Sequence, residues 1–367
     1  MIIFGIILFD MNQLPADKTV PISLLSSCFN NTSATYKFYW FLSILEALEK
    51  GHHQINKQGL FAGMVANAWY TINYFNLSFG KQDQLQRAIK QILSLENIAI
   101  DAKKEHIIAA LSTTAQPETI KHLRYFDGEV PYRFLSPWFS SIKGSKQEIY
   151  KLSQDFSNDC LYAVNQHEVI INPKWINYLT ENSGILKAFC YWHLCIYLQK
   201  HNPNVPDIAN KLFKKPQRNG LLKQRKEFWD IVIHHNGPVK CIYTDTTLNL
   251  NQYAVEHFVP FAFVSHDLIW NLIPADKRFN SSKSDKLPIM HKHFDAYFEV
   301  QEVAMKTIFD LSPSNKLLQD YLTILPDLNA LNSLNRETLK TRFRENIQPL
   351  ITIAANNGFE YMNLCNV

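Results

Sequence analysis

The segment from Pro238 to Pro288 constrains the fold of this 367-residue chain more than any other part of the sequence. It alternates short apolar stretches with polar turns, and it places prolines at positions where regular structure must stop. We predict a strand at residues 239–244, a turn at 245–249, and a second strand at 250–257 that is antiparallel to the first. An excursion with a proline near each end follows at 258–274, and a helix begins at Ala275 or Asp276. The segment is therefore predicted to form a small α+β unit.

Two oxygen-bearing side chains in this segment have the chemistry of ligands for a hard divalent cation. Glu256 lies at the end of the second predicted strand, and Asn280 lies on the predicted helix. Two protein oxygens, completed by waters and a phosphate oxygen, are typical of Mg²⁺, which keeps much of its hydration shell. A cation held there would neutralise charge at a phosphate and at a leaving oxygen.

Three further residues suit proton transfer and charge stabilisation beside such a cation. His257 is the natural general base, because an ordinary histidine pKa of about 6.5 suits removal of a proton from water near neutral pH. Asn271 is predicted to hold the loop and to orient the imidazole through a backbone carbonyl. Lys283 is three residues after Asn280, so both share one helix face, and it is predicted to stabilise charge near the phosphate.

These residues resemble the motif of the HNH (ββα-metal) endonucleases, most closely that of the HNH domain in RNA-guided CRISPR effector nucleases. That motif has an acidic residue, a histidine, two residues and a proline, then an asparagine 14 positions after the histidine and another nine further on. The same spacing and a closing Lys-Ser-Asp-x-x-Pro are found here at His257, Asn271, Asn280 and residues 283–288. The resemblance spans about 50 residues, and it implies His257 as base, Glu256 and Asn280 as metal ligands, and Asn271 as the residue that positions the histidine.

Two departures from the family pattern concern the metal chemistry. Many members have aspartate where this chain has Glu256, which is one methylene longer and still able to bind a cation. Many members also carry C-x-x-C pairs that bind a structural zinc, whereas residues 241–244 retain one cysteine only. We therefore expect Mg²⁺ or Mn²⁺ and no structural zinc, with aromatic packing in its place by Phe258, Phe261, Phe263 and Trp270.

A weaker resemblance links two upstream stretches, residues 31–38 and 224–229, to bacterial HNH-domain proteins with a helical amino-terminal region. It implies no particular substrate. Helical spacing of apolar residues predicts helices at 36–48, 60–75, 84–95, 103–111, 175–199, 294–311, 316–325 and 339–357. A loop is predicted at 131–138, a strand or hairpin at 160–171, and a buried strand at 1–9.

The predicted fold class is mainly α with a small α+β unit. It comprises a helical amino-terminal domain (1–150), a mixed or helical connector (151–230), an HNH nuclease domain (231–300) and a helical carboxy-terminal region (301–367). A chain of this length is expected to form two or three structural units.

A basic run at 211–226 carries the strongest local charge, although the net charge of the whole chain is only +4. A solvated helix face and contact with nucleic-acid phosphates are both left open for this run. Its members are Lys211, Lys214, Lys215, Arg218, Lys223, Arg225 and Lys226.

The six cysteines include no C-x-x-C pair, and no segment has the length or pattern of a signal peptide or a membrane span. We therefore expect a cytoplasmic protein that does not enter a membrane. His266 is predicted to form a hydrogen bond within its loop, and His291 and His293 are predicted to lie on a polar or DNA-facing surface.

The leading functional hypothesis is a metal-dependent endonuclease that hydrolyses phosphodiester bonds in DNA, with phage defence or restriction as a biological role. An HNH site cuts one strand, so a double-strand break requires a homodimer or two events, and a partner protein of a defence system is another candidate. The alternatives are an HNH nuclease that cleaves RNA and a non-catalytic nucleic-acid-binding protein with a decayed HNH fold.

Overall fold

The computed structural model describes residues 14–30, 32–142, 145–213 and 220–362, without the side chains of Phe213 and Asn332. The strand predicted at 1–9 lies outside the described residues. The chain divides into two compact units, with the boundary between Pro203 and Asn204. The four-part division drawn from the sequence stays a prediction.

The first unit is built mainly from helices. Its α-helices are α1 (Ile22–Ser27), α2 (Tyr36–Glu49), α3 (Lys57–Asn73), α4 (Gln84–Glu96), α5 (Lys104–Thr113), α6 (Pro117–Tyr125), α7 (Pro131–Phe134), α8 (Lys146–Leu152), α9 (Pro173–Glu181) and α10 (Ser183–His201). Shorter 3₁₀ turns lie at Phe126–Gly128, Ser136–Ile142 and Phe156–Asn158. Its strands are β1 (Gln54–Asn56), β2 (Tyr162–Val164) and β3 (Glu168–Ile171), in the antiparallel order β1-β3-β2.

The core of this unit lies where α2 packs against α3. Trp40, Phe41 and Trp69 on these helices are fully buried. Gly63 allows the close approach, because a Cβ at that position would lie 2.8 Å from the Ser43 hydroxyl oxygen. The aromatic residues of α2 and α3 therefore act as core, as large buried rings commonly do.

Two sequence predictions for the first unit differ from the structure. The segment predicted as a loop at 131–138 forms short helical turns, because Pro131 occupies the first helical position, where the missing N–H costs no hydrogen bond. The single helix predicted at 175–199 is divided into α9 and α10 at Asn182. The hairpin predicted at 160–171 is present as β2 and β3.

In its described residues, the second unit combines helices with four short strands. The helices are α11 (Ile208–Phe213), α12 (Leu222–Gln224), α13 (Asp230–Asn236), α14 (Phe261–Val264), α15 (Lys277–Lys283), α16 (Met290–Leu311), α17 (Ala330–Ser333) and α18 (Arg336–Asn356). A π-helical turn spans Arg225–Trp229, and 3₁₀ turns span Ile269–Asn271 and Lys316–Thr323. The strands are β4 (Val239–Lys240), β5 (Thr247–Leu248), β6 (Ala254–His257) and β7 (Leu272–Ala275).

The pairing of β6 corrects the sequence prediction, which made it the antiparallel partner of the first strand. The first strand instead closes a tight hairpin of its own, β4 with β5, because Asp245 adopts a left-handed backbone conformation (φ 58°) in the turn. β6 pairs antiparallel with β7, most of which lies within the segment predicted to be the excursion (258–274). The register places Glu256 opposite Ile273 and His257 opposite Leu272. Pro274 is tolerated in β7 because this sheet has only two strands.

The long helix α16 packs against this two-stranded sheet. Its buried Gln301 donates hydrogen bonds to the carbonyls of Ile269 (3.2 Å) and Leu272 (2.7 Å), and accepts one from the Tyr321 hydroxyl (2.6 Å). The ring of Phe258, just after β6, stacks on Tyr297 of α16 at 4.1 Å. These contacts hold the end of β6 and the start of β7 against α16.

The observed architecture confirms the predicted fold class, mainly α with a small α+β unit. Within the described residues, none of the helices has both the length and the apolar character that a membrane crossing requires.

Candidate nuclease site

The candidate site is assembled from the end of β6 and the face of α15 that packs against it. Glu256 and His257 are the last two residues of β6. α15 begins after Asp276, whose carboxylate accepts hydrogen bonds from the backbone N–H groups of Arg278 and Phe279, both at 2.9 Å. This cap satisfies backbone donors at the start of the helix, so it fixes where the helix begins. The predicted start of the helix near Asp276 is confirmed.

A pocket of about 340 Å³ opens over these elements. Its described lining combines apolar residues with the polar groups of the candidate site: Gly220, Leu221, Leu222, Arg225, Val255, Glu256, His257, Asp267 and Asn280. Glu256, His257 and Asn280, predicted from sequence spacing to act together, thus lie around one cavity.

Lys283 points to the protein interior behind this pocket. Its ammonium donates hydrogen bonds to Glu256 Oε1 (2.8 Å) and to the backbone carbonyl of His257 (2.9 Å). The Lys283 side chain is fully buried. This differs from the predicted placement of Lys283 near a phosphate, because its ammonium is held by Glu256 and the β6 backbone and is buried from solvent.

Asn280, which lines the pocket, has an amide oxygen that is unpaired within the described structure. Its amide oxygen Oδ1 is buried from solvent and accepts no hydrogen bond from any residue that the structure describes. A buried acceptor without a donor costs about 1–3 kcal/mol, so such atoms call for an unseen partner. Because the same pocket holds the Glu256 carboxylate, the donor set fits a hard divalent cation.

His257 has an acidic partner that sequence reasoning missed. Its Nε2 lies 2.9 Å from Oδ1 of Asp267, in the loop between β6 and β7. An ionised carboxylate only accepts hydrogen bonds, so the imidazole nitrogen that faces it carries the proton. The sequence offered no periodic signal for this pair, because the conformation of an irregular loop decides the distance.

Asn271 is fully buried and binds the backbone directly after His257. Its side-chain amide exchanges two hydrogen bonds with Val259, each 2.8 Å long, and its backbone carbonyl accepts a third from Phe258 (2.7 Å). Asn271 therefore ties the exit of β6 to the entrance of β7, a geometry compatible with its predicted role in holding the loop.

The basic run 211–226 divides into residues with different environments. Lys211 is 1% exposed and hydrogen-bonds the carbonyl of Pro206, and its burial lowers the lysine pKa to about 7. The predicted phosphate contact of Lys211 is therefore wrong. Lys223 and Lys226 are exposed, and Arg225 lines the pocket. Lys214, Lys215 and Arg218 lie outside the described residues.

The three other histidines near the site, His266, His291 and His293, differ in burial. His266 accepts the backbone N–H of Leu268 at 3.4 Å, in agreement with the prediction of a hydrogen bond within the loop, and burial lowers its pKa to about 4. His291 is exposed as predicted, whereas His293 is buried against the ring of Tyr243. A surface or DNA-facing role for His293 is therefore wrong.

Cys241 is buried, and its sulfur accepts the backbone N–H of Asp276 at 3.4 Å. In the described part of the chain, no group of three or more His, Cys, Asp or Glu side chains is arranged to hold a metal ion. Glu256 and Asn280 offer one carboxylate and one amide oxygen, a set that requires water or substrate oxygens to complete the coordination of a cation.

A strand that ends in Glu-His, a loop asparagine tied to its backbone, and a helix whose asparagine lines the same pocket are the elements expected of a ββα type of site. Residues 241–289 match the sequence model of the HNH endonuclease family, and the chain therefore carries an HNH endonuclease domain. No curated protein and no solved structure matches the chain. The family match points to a nuclease whose substrate is a nucleic acid and whose chemistry uses a divalent metal.

Proposed function

We propose that this protein is a metal-dependent endonuclease that hydrolyses phosphodiester bonds in DNA, with His257 as general base. The observation that carries the proposal is the buried, unpaired Asn280 Oδ1, which shares one pocket with Glu256 and His257. An amide oxygen, a carboxylate and an imidazole around a 340 Å³ cavity supply the groups that metal-assisted hydrolysis needs.

Glu256 and Asn280 are the residues that would hold the divalent cation, Mg²⁺ or Mn²⁺. Because Oε1 of Glu256 is engaged by Lys283, Oε2 and the Asn280 amide oxygen are the atoms left for it. Oxygen ligands of this kind favour hard cations over zinc. When bound, the cation supplies neutralisation of negative charge on the phosphate and the leaving oxygen.

His257 accepts the proton that hydrolysis releases. With the proton on Nε2 facing Asp267, the Nδ1 lone pair takes a proton from water as the water oxygen bonds to phosphorus. The bond from phosphorus to the leaving sugar oxygen breaks, and that oxygen takes a proton from solvent. Asp267 is a positioning residue in this scheme, because it fixes the imidazole tautomer and stabilises the charged ring.

Lys283 and Asn271 are proposed to fix the geometry without touching the substrate. Lys283 holds the Glu256 carboxylate and the His257 carbonyl together. Asn271 holds the backbone of the two residues that follow His257. Both contacts limit the freedom of β6 at its end, and well-positioned groups lower the entropic part of an activation barrier.

The exposed Lys223 and Lys226 are proposed to contact DNA phosphates outside the pocket, through charge that does not depend on sequence. A cytoplasmic location, a homodimer or a partner protein for double-strand cleavage, and a role in phage defence or restriction belong to the same proposal. Protection of cells against phage, lost on substitution of His257, is the measurement for the biological role.

The test is cleavage of supercoiled plasmid by the wild type, by His257→Ala and by the control His234→Ala, which changes an exposed histidine at the end of α13. Each protein is assayed with Mg²⁺, Mn²⁺ or EDTA. We expect nicking by the wild type and the control, none by His257→Ala, and none in EDTA. Equal cleavage by His257→Ala would show that His257 is not the base, and cleavage of RNA alone would overturn the DNA assignment.

A further inference from the structure

The pocket over Glu256 and His257 is lined by a positively charged side chain, Arg225, that the proposed function does not yet use. Of the described residues that line it, Arg225 is the one with a permanent positive charge. Lys283, the other cation of the site, is buried behind Glu256 and faces no substrate. A phosphodiester that enters this pocket brings negative charge, and Arg225 is the described side chain in a position to meet it.

The surroundings of Arg225 hold its guanidinium in place. The guanidinium carbon lies 4.9 Å from the centre of the Tyr253 ring, in a cation–π contact. Nε lies 3.7 Å from Oδ1 of Asp230, which also accepts the Tyr253 hydroxyl at 2.7 Å. Tyr253 is fully buried, so the surface on which the guanidinium rests is rigid. An arginine held in this way loses little side-chain entropy when it binds an anion.

The backbone that carries Arg225 departs from regular helix at the same place. Arg225 is the first residue of the π-helical turn Arg225–Trp229, between α12 and α13, and the turn buries Phe228 and Trp229. Such single π turns inside helices occur frequently at functional sites. Gln224, the preceding residue, donates from its side-chain amide to the Asp267 carbonyl at 3.5 Å, which links this helix to the loop of the candidate site.

We infer that Arg225 binds the scissile phosphate as a bidentate ligand of its non-bridging oxygens, with Tyr253 and Asp230 as the residues that position it. The inference rests on the proposed nuclease function and adds a specific substrate contact to it. Arg225 lies upstream of residues 241–289, so the family match does not include it. The planar guanidinium fork matches the geometry of phosphate oxygens, which a lysine at this position cannot reproduce.

The experiment compares Arg225→Gln and Arg225→Lys with a matched control, Arg336→Gln. Arg336 is also stacked on an aromatic ring, that of Phe298, and also paired with an acidic residue, Glu302, but it does not line the pocket. Cleavage rates are measured at saturating plasmid with Mg²⁺. We expect Arg225→Gln to lose about 10²–10³-fold in rate, since removal of one donor to a charged transition state costs about this much. Arg225→Lys should keep only part of the wild-type rate. The control Arg336→Gln should cleave at the wild-type rate.

A second readout does not depend on cleavage. Binding of a short DNA duplex is measured in EDTA across a range of salt concentrations, in the His257→Ala background. Loss of one phosphate contact should reduce the slope of log affinity against log salt by about one in Arg225→Gln, and leave it unchanged in Arg336→Gln. Equal slopes and equal rates for the two glutamine variants would overturn the inference, whatever the activity of the wild type.

The two readouts separate failure of this inference from failure of the proposed function. An active wild type with an unaffected Arg225→Gln variant would leave the nuclease proposal standing and remove Arg225 from it. An inactive wild type whose Arg225→Gln variant shows the reduced slope would support the phosphate contact without catalysis. Thermal unfolding of each variant is recorded. Should Arg225→Gln unfold, the cleavage rate of Arg225→Lys carries the test, because that variant keeps the charge and an aliphatic stem and loses the bidentate fork. A wild-type rate in Arg225→Lys would then overturn the inference.

Discussion

Lys283 Nζ lies 2.8 Å from Glu256 Oε1, so two residues 27 positions apart in the chain form an ion pair sealed from solvent. The Lys283 side chain is 0% exposed and that of Glu256 is 6% exposed. The carboxylate proposed to bind a cation is thus already partly neutralised by a protein cation. The hydrogen bond from Lys283 fixes the orientation of the Glu256 carboxylate at the end of β6.

Lys283→Met should destabilise the protein by about 3–5 kcal/mol in EDTA, because it leaves the buried Glu256 carboxylate without its countercharge. Urea unfolding measures the loss, and added Mg²⁺ should restore part of it. The control Lys306→Met removes a half-exposed partner of Glu302, which keeps Arg336, and should cost less than about 1 kcal/mol. Equal losses in the two variants would contradict a dominant role for the buried pair.

Asn280→Ala should separate metal binding from intrinsic stability. In EDTA the variant should be at least as stable as the wild type, because it removes a buried acceptor that has no donor in the described structure and introduces a better helix former. With Mg²⁺ the wild type should gain more in Tm than the variant, since ligand binding to the folded state stabilises it. A variant with the same Mg²⁺-dependent rise would exclude Asn280 as a ligand. Asn249→Ala, at an exposed position, is the control.

Asp267→Asn should lower kcat by about 10–100-fold and leave DNA affinity near that of the wild type, the range seen when hydrogen-bonded partners of functional histidines are changed. Steady-state kinetics separate kcat from KM. Asp267→Glu keeps the carboxylate and should recover part of the rate. A rise in KM with unchanged kcat would instead place Asp267 in substrate binding.

Asn271→Ala should reduce the free energy of unfolding by about 1–3 kcal/mol for each backbone group of Val259 that it leaves unpaired. Cleavage should fall with it, because the chain after His257 loses its tie to β7. Chemical denaturation in EDTA checks the first effect and plasmid nicking the second. Full activity in a folded Asn271→Ala protein would show that the clamp does not position His257.

His293 should make folding depend on pH between about 6.5 and 4. Burial, with smaller effects from the charges of Lys292, His291 and Lys283, lowers its pKa to about 4. In that window the unfolded chain binds a proton at this residue that the folded chain does not, so stability falls as the pH falls. The loss reaches about 3 kcal/mol at the lower end of the window, since each pKa unit corresponds to about 1.36 kcal/mol.

His293→Gln checks this prediction, because an amide oxygen can still accept the Ile289 N–H that the imidazole accepts at 3.1 Å. Unfolding free energies of the wild type and the variant are compared from pH 7 to pH 4. As the pH decreases, the unfolding free energy of the wild type should fall more than that of the variant. Parallel pH profiles would show that protonation of His293 does not contribute.

The parts of the site that local sequence could predict are those fixed by short-range geometry. Asn280 and Lys283 share a helix face through their spacing of three, and Asp276 marks the helix start, so the grouping with Glu256 followed from the sequence. The partner of β6 could not be predicted in this way. Val255 pairs with Pro274, a residue type that ordinarily argues against a strand.

The remaining differences between the sequence predictions and the structure arise from tertiary packing. Lys211 and His293 belong to polar sequence stretches, yet both are buried. The ring of Tyr243, distant in sequence, lies against His293. Asp267 reaches His257 because 3₁₀ and helical turns fold the loop 258–271 back over the strand end. None of these contacts has a periodic signature, because each depends on tertiary packing.

The π turn at Arg225–Trp229 also determines the direction, around the helix axis, in which the preceding residues of that helix point. A π turn holds one more residue than an α-helical turn, and one residue corresponds to about 100° of rotation around the axis. Phe228 and Trp229 stay anchored in the core, so the extra residue rotates the amino-terminal part of the helix relative to them. Deleting one residue from the turn would leave the charge and composition of the chain almost unchanged and yet swing Arg225 and Leu222 away from the cavity that both line.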